Sequence, residues 1–219
     1  MTMKPCARAL GAALFAVAAV LEAGAARAQT NEPLILGEED WPCHGKYRLE
    51  FSAGAVWPGP PLGPATAAWR DDPAVRRLAE ELAAPETMRE PARAKVAAFA
   101  AGLSGDPARA RRLALLFRGV VDELNLYRRF VLEGIVGSVA RRRLAAGALA
   151  RTEVELAGLP DDGSAQAAQR RKAIEERRFW QARAVDRAEG EAQFLCKRLT
   201  ALEGKLGALA RAIAGQLPP

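Results

Sequence analysis

Cys43 and His44 stand side by side in the stretch EEDWPCHGKYRLEF, residues 38–51, and His44 is the only histidine in the chain. The pair invites four readings: a metal site, a haem attachment, a catalytic pair, or a structural staple. A structural zinc site needs four Cys or His ligands. Once the leader described below is removed, Cys43, His44 and Cys196 are the only candidates. Haem attachment needs C-x-x-C-H, and only C-H is present. A catalytic thiol needs a base that reaches it through space, and a neighbour along an extended chain points the other way. The staple asks least. Two cysteines in an oxidising compartment pair, so a Cys43–Cys196 disulfide is expected. Closing so long a loop is worth up to roughly 5 kcal/mol.

The second group able to do chemistry is basic. Arg141, Arg142 and Arg143 are consecutive, Arg170, Arg171 and Lys172 follow, and Phe179-Trp180 lie close by. Glu153, Glu155, Glu175 and Glu176 are interspersed. Such a mixture reads either as a solvated helical surface laced with ion pairs or as a contact surface. In the first case Phe179-Trp180 closes a thin core against Leu144 or Ala145. In the second, Trp180 anchors a partner. The carboxylates form no dyad. Asp71, Asp72 and Asp106 precede helices as caps, and Asp161-Asp162 sits in a turn. Phosphate-loop, nucleophile-elbow and zinc-protease patterns do not occur. No catalytic residue, cofactor or metal is expected, and an exported chain without a recognisable nucleic-acid module is not expected to bind nucleic acid.

The elements that must position these residues begin with the ends. Lys4 and Arg8 precede ALGAALFAVAAVL, residues 9–21, and Ala26-Arg27-Ala28 has the form of a cleavage site. Residues 1–28 therefore read as a signal peptide, cleaved about Ala28/Gln29, with the rest delivered to the periplasm. The apolar run is shorter than the roughly 20 residues a spanning helix needs. Removing Lys4, Arg8, Arg27 and Glu22 takes 32 basic and 26 acidic residues to 29 and 25, a formal +4. That charge argues only weakly for an anionic partner.

Residues 29–70 hold six prolines and five aromatics, among them Trp41, Tyr47, Phe51, Trp57 and Trp69. This is an extended arm that lies against a surface, since proline at such density breaks helices and central strands. From residue 71 to 219 the pattern is helical. Asp72-Pro73 opens one helix, to about Ala84. Thr87-Met88-Arg89-Glu90 has the form of a capping box opening a second, about 88–103. Asp106-Pro107 opens a third, unbroken to Gly158. Leu113, Phe117, Val120, Leu124, Tyr127 and Val131 keep 3–4 spacing, and so do Val185 through Ile213. Folding the chain about residue 161 superposes the two seams. The fold class expected is all-α: a long antiparallel coiled-coil hairpin, with two shorter helices making a bundle at its open end. The polar tip, about 140–183, projects.

With Asp40-Trp41-Pro42-Cys43, then Ala55-Val56-Trp57-Pro58-Gly59-Pro60, and a charged helical C-terminal half, the chain resembles a group of uncharacterised bacterial exported proteins. The resemblance implies export and an arm-plus-bundle layout, and it assigns no site. The function expected is non-enzymatic: a scaffold, adaptor or accessory subunit acting by contact with another periplasmic or membrane-associated protein. Self-association of the hairpin is a further expectation. A holdase-like chaperone is the alternative, and a redox or small-ligand-binding bundle is the other.

Overall fold

The computed structural model describes residues 36–160 and 163–218. The signal peptide expected over 1–28, the start of the arm to residue 35, and Asp161-Asp162 at the turn lie outside the described residues. Those described are all-α, with no strand among them. A one-turn α1 (Ala53–Val56) lies within the arm, followed by α2 (Pro73–Ala83), α3 (Arg89–Ala101), α4 (Arg109–Ala157) and α5 (Ala165–Ala214). Helices α4 and α5, of 49 and 50 residues, pack along each other over about 75 Å at 1.5 Å per residue. At the open end α2 packs on α4 and α3 on α5. No helix is long and apolar enough to cross a membrane among the described residues.

The helix ends follow their local chemistry, with two departures from the sequence reading. Asp72 caps α2, accepting from the amides of Ala74 and Val75 at 3.0 and 3.1 Å. The capping box does not form: Met88 is the N-cap of α3 and supplies no side-chain bond. Thr87 donates instead to the carbonyl of Glu81, 2.7 Å away, so its hydroxyl serves the end of α2. Asp106-Pro107 is likewise a turn, after Gly105 at φ +77°. Asp106 accepts from Ala108 at 2.7 Å, and α4 begins at Arg109.

Asp72 also ties α2 to α4 through Arg112, Nε to Oδ2 at 2.8 Å. Burial opposes its ionisation, but the bonds from Arg112 and from the amides of Val75 and Ala74 outweigh that, so its pKa falls below the ordinary 3.8. A depressed carboxyl stabilises the fold above its unfolded pKa and stops doing so as pH falls through the folded value. Urea midpoints of the wild type should therefore fall as pH is lowered below 3.8, and Asp72→Asn should remove part of that fall. At neutral pH Asp72→Ala should cost about 1 kcal/mol for the lost cap, read from the same titrations.

The arm is docked rather than free. Trp57 stacks on Phe117, centroids 4.3 Å apart. The Trp69 indole donates to Asp122 at 2.8 Å, and Gly119 makes room for it: a Cβ there would lie 2.8 Å from the Trp69 ring and from Ala79. Asn125 pairs with the backbone of Phe51, accepting its N–H at 2.8 Å and donating to its carbonyl at 3.4 Å. Beneath it Arg128, 1 % exposed, donates twice to the carbonyl of Arg48, at 3.0 and 2.8 Å, and once to Glu203 at 3.2 Å. Its guanidinium lies 4.5 Å from the Phe51 ring centroid. Trp57, Trp69 and Phe117 belong to one continuous apolar core with the α4 and α5 seams.

The hairpin is in a different side-chain register from the one that folding about residue 161 predicts. That fold pairs Arg128 with residue 194, yet Arg128 meets Glu203, nine residues on. Arg141 meets Glu191, and Arg142 approaches Glu189, against the predicted 181 and 180. Side chains lean toward the N-terminus of their own helix. In an antiparallel pair the two leans are opposed, so contacting residues come from higher numbers than backbone levels indicate.

Beyond α2 and α3 the hairpin is thin. Between 140 and 183 only Thr152 and Ile174 are buried among the described residues. Two helices can enclose one seam and no more.

Candidate partner-binding surface

Cys43 and Cys196 form the expected disulfide, with Cα atoms 5.3 Å apart. His44 is exposed beside it. The sulfurs border a shallow groove with Pro42, Gln193, Lys197 and Thr200. No three His, Cys, Asp or Glu side chains are grouped to hold a metal among the described residues.

The basic residues are not gathered into one patch. Arg141 binds Glu191 at 2.7 Å and Ser138 at 3.1 Å. Arg142 lies 3.9 Å from Glu189, and Arg143 reaches around to Asp40 of the arm. Nearer the tip, Arg170 and Arg177 converge on Glu155. Arg171 is half-buried, and Lys172 is exposed. The three consecutive arginines point three ways because 100° separates neighbours on a helix. Most of this charge is answered within the chain, as an ion-pair-laced surface requires.

Phe179 and Trp180 do not close the tip core. They are 55 % and 60 % exposed and meet each other edge-on, centroids 5.2 Å apart. The Ile174 and Thr152 seam passes on the inner side of α5, leaving the two aromatics outside it.

Trp180 has company that the sequence reading missed. Phe130 (70 %), Leu144 (76 %) and Phe194 (58 %) are also exposed. Each stands two residues from one turned to the arm: Arg128, which binds Arg48; Arg142, beside Trp41 and Pro42; and Cys196, bonded to Cys43. Two residues are about 200° of helix, so Phe130, Leu144 and Phe194 lie on the side the arm leaves open. Leu144 follows Phe130 by fourteen residues, and Phe194 follows Trp180 by fourteen. Fourteen residues are two heptads, which bring a side chain back to the same face in a coiled coil. Phe130 and the neighbours of Phe194 line one groove, so those two are near one level. Stepping two heptads toward the tip along each helix brings Leu144 and Trp180 near one level as well. The face thus carries two apolar rungs about 21 Å apart.

The groove at the first rung has a volume of about 280 Å³ and is walled by Pro85, Tyr127, Leu195, Arg198, Leu202 and Lys205 with Phe130. Arg198 lies over Phe194 at 5.9 Å. Lys205 donates to the carbonyls of Ala83 and Ala84 at the end of α2, and burial holds its pKa below 10.5 against the pull of Glu86. The groove therefore marks the step where the α2–α3 layer ends and the bare hairpin begins. The signal for this face was present in the two fourteen-residue repeats. It was hidden because seam positions carry the stronger periodicity.

Comparison with protein families, with curated proteins and with solved structures finds no match for the chain.

Proposed function

We propose that this is an exported, non-enzymatic protein of the periplasm that works by contact, as a scaffold, adaptor or accessory subunit whose projecting hairpin engages another protein. The supporting observation is the row of large apolar side chains, Phe130, Leu144, Trp180 and Phe194, each more than half exposed, on the side of the hairpin that the arm leaves open. Exposed apolar patches rimmed by polar residues mark interaction sites, and each rung sets two large apolar side chains near one level. Aromatic side chains are the commonest anchors at interfaces. The disulfide and the Arg128 clamp hold the opposite side rigid, so the open side is presented without reorganisation. Among the seven basic and aromatic residues singled out from sequence, Trp180 carries this reading. Arg141, Arg142, Arg143 and Arg170 contribute through the pairs that keep the hairpin straight, and Arg171 and Lys172 tune charge at the tip.

A photo-crosslinking amino acid at position 180 should yield adducts in the periplasm, and one at Val56, on the arm, should not. Leu144→Ser with Trp180→Ser should abolish capture while leaving the melting temperature within a degree or two, since surface changes cost little. Retained capture by a protein lacking residues 140–183 would overturn the assignment.

The same exposed row would also suit a chaperone-like clasp on unfolded exported chains. Suppression of client aggregation at equimolar protein, read by light scattering, separates that activity from binding to one folded partner.

A further inference from the structure

We propose that the open side of the hairpin docks a second copy of this chain, antiparallel, about a two-fold axis passing beside Leu144 and Trp180. This rests on the contact reading above and names its partner.

Three observations lead there. The first is shape. Leu144 lies fourteen residues beyond Phe130 at the step and thirteen before Ala157, where α4 ends. Trp180 lies fifteen residues after Ala165, where α5 starts, and fourteen before Phe194. The second rung is therefore midway between step and tip on both helices. A two-fold axis there lays each tip into the other copy's groove at Pro85 and Phe130. The α2–α3 layer that forms the step is one helix thick, about 10 Å, which is also the spacing at which a second hairpin would pack. A parallel arrangement would set the two steps against each other.

The second is charge. Glu133 and Arg151 are exposed on α4, and neither makes an ion pair among the described residues. They lie eleven residues before and seven after Leu144. The two-fold operation brings Arg151 of one copy within about four residues, roughly 6 Å along the helix, of Glu133 of the other. An arginine spans that distance, and the symmetry makes the pair twice. A heterologous partner would have no reason to meet this spacing.

The third is area. Counting the exposed fractions of Phe130, Leu144, Trp180 and Phe194, with about 150–250 Å² for a large buried side chain, gives on the order of 500 Å² of apolar surface per copy. That is at the upper edge of what a monomer leaves open. Two copies together reach about 1,000 Å², the least that a specific interface buries.

Sedimentation velocity on the mature, oxidised protein, from micromolar to hundreds of micromolar, tests this. A concentration-dependent monomer–dimer equilibrium is expected. Trp180→Ser, at the axis, should weaken it about thirtyfold, as for a central hot spot, and Leu49→Ser, exposed on the arm, should leave it unchanged. Glu133→Arg alone should weaken the dimer about fivefold, and adding Arg151→Glu should restore it. A benzophenone at position 180 should crosslink to the peptide around Trp180 of the other copy. A monomer throughout, a dimer indifferent to Trp180→Ser, or a double charge swap weaker than the single one would each overturn the proposal. If the protein stays monomeric while position 180 crosslinks to a different protein in the periplasm, self-docking fails and the contact reading stands. If it stays monomeric and crosslinks to nothing, both fail. Sedimentation with anionic vesicles but no self-association would also overturn it, in favour of a lipid surface.

Discussion

Replacing Arg128 by alanine is expected to destabilise the protein by about 3 kcal/mol, lowering its melting temperature by roughly 10 °C for a chain of this size. The figure comes from two losses. Deleting the buried stem leaves a cavity under Phe51 and the seam, and large-to-alanine changes in cores cost about 2–5 kcal/mol. It also strips two charge-assisted bonds from the carbonyl of Arg48, and an acceptor left without partners costs about 1–3 kcal/mol. The larger penalty for breaking a buried ion pair does not apply in full, because Glu203 is 54 % exposed and water can solvate it. Arg128→Met separates the contributions. It keeps most of the apolar stem, so about half the loss should remain. Arg128→Lys should resemble Met more than wild type, since a point ammonium cannot serve Arg48 and Glu203 with one planar fork. Thermal denaturation of the three variants checks the order. Equal stability of wild type and Arg128→Ala would show that the arm does not depend on this clamp.

Breaking the Cys43–Cys196 bond is the other large effect. The cysteines are 153 residues apart, and the chain-entropy account assigns a loop of that length about 5 kcal/mol as an upper figure. Measured values often fall short, and the remaining arm contacts give a reason here. Asn125, Arg128 and the Trp57–Phe117 stack hold the arm downstream of Cys43. The Cys43→Ala, Cys196→Ala protein should therefore lose about 3 kcal/mol globally while keeping its helical circular dichroism. Amide exchange should rise chiefly in residues 36–47, where Trp41 and Tyr47 pack edge-on against each other. An unchanged urea midpoint in reducing and oxidising buffer would sink this prediction. A double variant with unchanged exchange over 36–47 would show that the bond holds nothing its neighbours do not.

Much of this fold was legible in the chain. The 3–4 spacing from Leu113 to Val131 and from Val185 to Ile213 specified two long helices, because side chains on one face of a helix recur at that interval. Asp72-Pro73 fixed the start of α2, since its cap needs only amides two and three residues on. The disulfide followed from counting, since loss of the expected leader would take Cys6 with it and leave two cysteines to pair. The capping box at Thr87 failed for a reason the local sequence does not hold: its hydroxyl found the carbonyl of Glu81 on the preceding helix. Nothing in the local sequence distinguishes Arg128 from the other cations of a basic chain. Only the arm folded over it supplies the carbonyl, the ring and the desolvation that make it a core residue.

The candidate surface divides in the same way. The clustered arginines were conspicuous in the sequence, and the fold disperses most of them into pairs with Glu191, Glu189, Asp40 and Glu155. Trp180 was visible by its type, but its exposure was not. The sequence alone determined an all-α chain, its long helices, its arm and its cross-link, because periodicity, proline and thiol number act locally or by count. Tertiary structure alone decided which side of the hairpin the arm covers and where the α2–α3 layer stops. Those choices leave Phe130, Leu144, Trp180 and Phe194 open. Exposure is a property of what packs on a residue, and that depends on segments tens of residues away.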